Sequence, residues 1–418
     1  MNGRELLQNA LDHKEGKVPI DFGSTPVTGM HCTVVEKLRN HYGLEKRPVK
    51  IVEPYQMLGM IEEDLKEAIG VDVDGVYPRN TMFGFPLSDW KEWRAPWGQE
   101  LLVPGKFVTR KDEKNDYYLY PEGDTSVSPS GRLPDGGYFF DAVIRQEHFD
   151  EDNLNVEDNL QEFNPLSDAD LEHFRRSVEA VSKSGRGVIA NVGGTGLGDI
   201  ALVPAMNLKD PRGIRDVEEW YVSTAIRQDY LHEIFDKQTD IAIENLKRVK
   251  DILGDTVQSL FICGTDLGTQ DSTFCSGETY DSLYHPYYKK VNDWIHANTD
   301  WRTVKHTDGA VFDLIAHFID SGFDICNPIQ VSAKGMDPKR LKETYGDQMV
   351  FWGASAESQH TLPFGTPEEV RREVLERAEV FSKNGGYVFN SIHNVQARTP
   401  IENVVALVDA IHEFNGDK

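Results

Sequence analysis

His306 and Asp308 stand two residues apart at the end of a short β-type segment, in the run Thr303-Val304-Lys305-His306-Thr307-Asp308-Gly309. A spacing of two puts both side chains on the same side of an extended chain. A second histidine, His393, closes another apolar segment near the C-terminus. Two imidazoles and one carboxylate make a His₂Asp metal site with an open position, suited to Zn²⁺ and also to Fe²⁺ or Mn²⁺. An ion there would act as a Lewis acid or activate a bound nucleophile. The same groups, with Asp266, read equally as hydrogen-bonding and acid/base residues that need no metal. Gln270, Asn327, Gln330, Glu357 and Asn394 also end apolar segments and are the expected substrate-binding groups. Cys326 lies inside its apolar segment and reads as core.

Placing these residues together requires a particular arrangement of elements. Apolar, strand-like segments recur near residues 18, 72, 188, 258, 304, 324, 350 and 387, and helix-period runs separate them. Ser167-x-x-Asp170 and Thr366-Pro367-Glu368-Glu369 are helix-starting capping boxes. Eight strands alternating with helices predict an α/β chain folded as a (β/α)₈ TIM barrel, with a doubly wound open sheet as the alternative. In a barrel the polar strand tips converge on one mouth, which would gather all the residues named above.

Residues 80–146 break this rhythm. The stretch is rich in aromatic and turn residues, among them Trp90, Trp93, Trp97, Tyr117, Tyr118, Tyr120, Tyr138, Phe139 and Phe140. It is expected to form antiparallel hairpins inserted into one domain spanning residues 1–418, as a lid, a homodimer interface or a purely structural flap. The Gly-rich run Gly193-Gly194-Thr195-Gly196-Leu197-Gly198-Asp199 follows a strand but lacks the Lys-Ser/Thr of a P-loop, so a tight loop at a pocket mouth is the better reading.

The net charge of −25 argues against a nucleic-acid surface, which needs clustered Lys and Arg. No apolar run is long enough to span a bilayer, and the charged N-terminal stretch is not a signal peptide. Four scattered cysteines, with no CxxC, fit a reducing cytoplasm.

Several motifs taken together resemble the uroporphyrinogen decarboxylase superfamily. They are Asp266-Leu267-Gly268-Thr269-Gln270, His306-Thr307-Asp308-Gly309, Gly322-Phe323-Asp324 with Asp337-Pro338, and Gly385-Gly386-Tyr387-Val388-Phe389-Asn390-x-x-His393 followed by Thr399-Pro400. The resemblance covers the second half of the chain well and the first half loosely. It implies a (β/α)₈ barrel and places the chain among enzymes that include true decarboxylases and cobalamin-dependent methyltransferases.

Two departures separate these branches. True decarboxylases carry an Arg-rich segment of the form RQAGR after the first strand, whereas residues 21–29 here contain no Arg. The methyltransferase branch holds zinc with His-x-Cys and a later Cys. His306 matches that His, Asp308 stands at the first Cys, His393 stands near the second, and Gln330 lies close to where an additional acidic ligand would be expected. The resemblance therefore implies a corrinoid-linked methyltransferase acting on a methylated or methoxylated small molecule, with methylcobalamin supplied by a corrinoid protein. Its metal site would carry harder ligands than zinc-thiolate relatives do. A decarboxylase or lyase on a smaller acid, using Asp266 and His393, and a non-catalytic binding subunit are the alternatives.

Overall fold

The computed structural model describes residues 1–417. Its centre is a curled, seven-stranded parallel sheet. In chain order the strands are β1 (Val73–Val76), β2 (Gly187–Ala190), β3 (Ser259–Cys263), β4 (Arg302–His306), β5 (Ile325–Asn327), β6 (Val350–Trp352) and β7 (Tyr387–Val388). Each pairs with its sequential neighbour. This order follows from helices connecting successive parallel strands.

The alternation of side chains along each strand sorts the interior. Val73, Ile189, Val304, Ile325, Val350 and Val388 form one buried cluster inside the curl, together with Leu7 and Leu11 of the N-terminal helix α1 (Gly3–Leu11). Helix α1 starts at a capping box between Asn2 and Glu5 and plugs the N-terminal end of the sheet with its apolar face. Burying each of these aliphatic side chains stabilises the fold by roughly 1.5–3 kcal/mol. Because Val304 faces inward, His306 faces inward too, one layer higher at the C-terminal end.

The expected first strand, residues 18–22, makes one parallel bridge, Ile20 to Phe389, instead of a ladder. Asp21 N donates to Phe389 O at 2.8 Å, and Asp72 N donates to Ile20 O at 2.8 Å, so the segment touches both edges of the sheet. Its ladder is short for two reasons. Pro19 has no N–H to give, and Ile20 N is taken by the Asp72 side chain at 3.0 Å.

Two smaller four-stranded sheets lie in the N-terminal half. One pairs Lys91–Arg94 antiparallel with Glu100–Val103, and reaches back through a parallel contact to Val49–Glu53. The other is an antiparallel run of Thr109–Lys111, Tyr117–Leu119, Gly131–Leu133 and Asp141–Ala142. Between β3 and β4 lie two helices, Gly277–Leu283 and His285–Asn298. Pro286 starts the second, where a missing N–H costs nothing. The helical run after Gly309 opens as a 3₁₀ turn, Phe312–Leu314, before Ile315–Asp320. Among the described residues no helix is long and apolar enough to cross a membrane.

Candidate metal centre

The C-terminal ends of β3, β4 and β5 and the segment after β7 bring His306, Asp308 and His393 together. One ligand atom from each lies within 4.8 Å of the others. His306 is buried, whereas the side chains of Asp308 and His393 are 34% and 28% exposed, so the group opens toward solvent on one side. The two imidazole centroids are 5.6 Å apart, and His393 Nε2 lies 4.0 Å from Asp308 Oδ2.

Hydrogen bonding fixes which atom of His306 is available. Asn327 Nδ2 donates to Trp352 O at 2.9 Å, so Asn327 presents its Oδ1 to His306 Nδ1 at 2.7 Å. An amide oxygen only accepts, so Nδ1 carries a proton, and in the neutral ring it is Nε2 that offers the lone pair. This is the outer support typical of metal-binding histidines. Burial pushes the His393 pKa down, with Asp308 opposing and His306 reinforcing the shift, which favours the neutral imidazole that a metal needs.

Asp308 sits on a turn braced from three sides. Asp266 Oδ1 accepts from Asp308 N at 2.8 Å, Gln330 Oε1 accepts from Gly309 N at 2.8 Å, and Ala310 N donates to Thr269 O at 2.8 Å. Gln330 Nε2 in turn donates to Gln270 Oε1 at 3.0 Å, and Gln270 Nε2 to Ser332 O at 2.6 Å. Gly268 and Gly309 allow the two loops to touch: a Cβ on Gly268 would lie 2.6 Å from Asp308 O.

Asp266, Gln270, Asn327 and Gln330 therefore belong to the surroundings of the triad, mainly as braces. Glu357 spends its carboxylate on Gln359 N and His360 N within its own loop. Asn394 binds Gln56 and Gln396. Through Gln56 it ties the mouth to the loop whose Tyr55 O accepts from Phe140 N at 2.8 Å, at the edge of the aromatic stretch.

Asp199, which ends the Gly-rich run from Gly193, also belongs here. Its carboxylate accepts from Ala201 N at 3.0 Å and Gly264 N at 3.2 Å. A Cβ on Gly264 would lie 2.8 Å from Asp199 Oδ2 and 3.7 Å from the His306 ring, so glycine keeps that space clear. Burial, and then the nearby Asp266 charge, push the Asp199 pKa up. Tyr221 donates to Asp266 O at 3.3 Å and stacks on Phe274 with centroids 4.4 Å apart, giving the mouth an aromatic rim. The signal available in the sequence was Asp199 itself, an acidic residue just past a strand tip.

A family model described as Uroporphyrinogen decarboxylase (URO-D) matches residues 151–414, which carry every member of this centre. The chain belongs to the uroporphyrinogen decarboxylase family. It is 35% identical over 80 residues to a uroporphyrinogen decarboxylase of Psychromonas ingrahamii, covering 19% of this chain and 22% of that protein. It is 26% identical over 192 residues to one of Ruthia magnifica, covering 44% of this chain and 50% of the relative. The chain thus spans half or less of the length of these curated relatives. A solved methyltransferase from Methanosarcina mazei shares the fold across 99% of both chains, with a TM-score of 0.54 and 16% identity.

Two imidazoles, one with its tautomer fixed, and a partly exposed carboxylate fit a divalent metal with at least one position open for a ligand. Without a metal, the same atoms form a His–Asp acid/base pair beside a buried imidazole.

Proposed function

We propose that this chain is a corrinoid-linked methyltransferase that acts on a methylated or methoxylated small molecule. The observation that carries this reading is the convergence of His306, Asp308 and His393 within 4.8 Å at an open strand end. The absence of any Arg in residues 21–29 supports it, since a porphyrinogen with many carboxylates would need cationic partners there. In this reading the eight-strand barrel is closed by residues 18–22, and residues 80–146 form an insertion beside the mouth of a cytoplasmic protein.

His306 Nε2, a His393 nitrogen and an Asp308 oxygen would hold the metal, which supplies Lewis acidity when bound. The protein's own part is positioning. Methyl transfer breaks the bond between the methyl carbon and its donor atom as the bond to the acceptor forms, in line. The donor atom leaves with the bonding pair and takes up a proton. Asp266 and Asp199 flank the place where that charge changes. Tyr221 and Phe274 offer an apolar wall to the substrate or to the corrinoid of a partner protein.

A decarboxylase or lyase acting on a smaller acid is the second reading, favoured by the family model and the names of the curated relatives. Incubation with methylcobalamin, a corrinoid protein and a panel of methyl acceptors separates the two. Methyl transfer appears as a change in the cobalamin spectrum that His306→Ala abolishes. Release of CO₂ from a carboxylic acid, with a silent cobalamin spectrum, overturns the methyltransferase reading.

A further inference from the structure

Lys305 lies in β4 beside His306, yet its side chain is completely buried. It faces away from the curl of the sheet, opposite to Val304 and His306. Its ammonium donates to Thr265 O at 2.5 Å and His306 O at 2.9 Å. It lies 5.9 and 5.7 Å from the centres of the Tyr288 and Phe318 rings. Among the described residues it forms no ion pair with a carboxylate.

A buried ammonium with only carbonyl and ring partners is costly, and a methionine would fill the same space among aromatic rings without that cost. The two carbonyls it binds belong to the two strand tips that build the centre. One precedes Asp266, which braces Asp308; the other is that of His306. The β3 tip also needs holding, because its register against β4 slips between Phe261 and Cys263. A bulge of this kind re-aims the chain beyond it. Other bonds at that tip run from Thr265 Oγ1 to Leu197 O at 2.7 Å and from Leu267 N to Thr307 Oγ1 at 2.8 Å. Lys305 adds a buried ammonium that bonds a carbonyl of each tip.

We propose that Lys305 is a positioning residue of the metal centre, its buried ammonium clamping the carbonyls of Thr265 and His306 so that Asp266 and His306 are held toward the mouth. The part of this proposal that concerns metal rests on the reading of the triad as a metal site. The clamp between the two tips does not.

The test compares Lys305→Met with the wild type and with Thr303→Val. Thr303 lies in the same strand and bonds Gly322 O at 2.9 Å, away from both tips. Three quantities are read: melting temperature, amide hydrogen exchange by segment, and Co²⁺ affinity from the visible spectrum. Lys305→Met is expected to melt at or above the wild-type temperature, because an apolar chain replaces a buried charge. Its residues 264–269 and 306–310 should exchange at least about tenfold faster while β1 and β2 stay protected. Co²⁺ affinity should fall at least about tenfold, as for loss of an outer support of a ligand. Thr303→Val should leave both tips and Co²⁺ binding as they are. Unchanged exchange at both tips in Lys305→Met overturns the clamp. A lowered melting temperature with faster exchange across the whole sheet also overturns it, by making Lys305 an ordinary part of the core. Wild-type protein that binds no Co²⁺ refutes the metal reading instead, and the exchange measurement still decides the clamp.

Discussion

Asn327 holds the His306 ring through Nδ1 at 2.7 Å while its own Nδ2 is fixed on Trp352 O at 2.9 Å. The ring is thereby committed to one tautomer, with Nε2 free. Asn327→Leu should keep the fold, because a side chain of similar size fills the same buried position, but release the ring. Metal affinity is expected to drop by about 10- to 100-fold, measured by Co²⁺ titration. A wild-type affinity in this variant would mean that Asn327 does not orient the ligand.

Asp308 occupies the place where the resemblance puts a thiolate, and its turn is held by Asp266, Gln330 and Thr269. Asp308→Cys should therefore present a sulfur in the same location. It is expected to bind Zn²⁺ more tightly than the wild type and to give Co²⁺ a sulfur charge-transfer band. Absence of that band would show that residue 308 does not reach the ion.

Gly268 meets the Asp308 turn backbone to backbone. A Cβ there would come within 2.6 Å of Asp308 O and 2.8 Å of Ala310 N. Neither atom belongs to a flexible side chain, so Gly268→Ala must shift the turn. The expected cost is about 1–3 kcal/mol of stability, accompanied by weaker metal binding. Urea unfolding and Co²⁺ titration on the same variant check both effects.

Much of this centre is legible in the sequence, because inward positions alternate along a strand. Val304 and His306 had to share a face, and polar tips had to gather at one end once the strands ran parallel. The partners of the tips were not legible. Gln270 and Gln330 end apolar segments as pocket groups would, yet their amides go to each other, to Gly309 N and to Ser332 O, which depends on loop geometry. The first segment reads as a strand by its apolar pattern, but Pro19 and the Asp72 carboxylate remove the donors of a regular ladder. Lys305 left a signal that could have been used: a lysine between Val304 and His306, in a strand buried on both faces.

In the loop that Asn394 ties to the mouth, Glu53 is buried and accepts hydrogen bonds from Tyr55 N at 2.8 Å and Gln56 N at 2.6 Å. Burial pushes its pKa up to about 7 despite those bonds. The folded state thus holds its proton where the unfolded chain, near 4.5, has lost it. Its contribution is full below the unfolded value and declines as pH rises toward the folded one. Stability should fall between about pH 4.5 and 7 by up to about 1.4 kcal/mol per pH unit from this group. Glu53→Gln should flatten that slope in urea unfolding at pH 5, 6 and 7. An equal slope in the variant would assign the pH dependence elsewhere.

The central claim is that His306, Asp308 and His393 hold a metal, and metal analysis of the purified protein after metal-replete growth tests it most directly. The account predicts about one equivalent of a divalent transition metal per chain, falling sharply in His306→Ala and His393→Ala while the fold persists. Less than about a tenth of an equivalent in the wild type, or the same content in both variants, would contradict it.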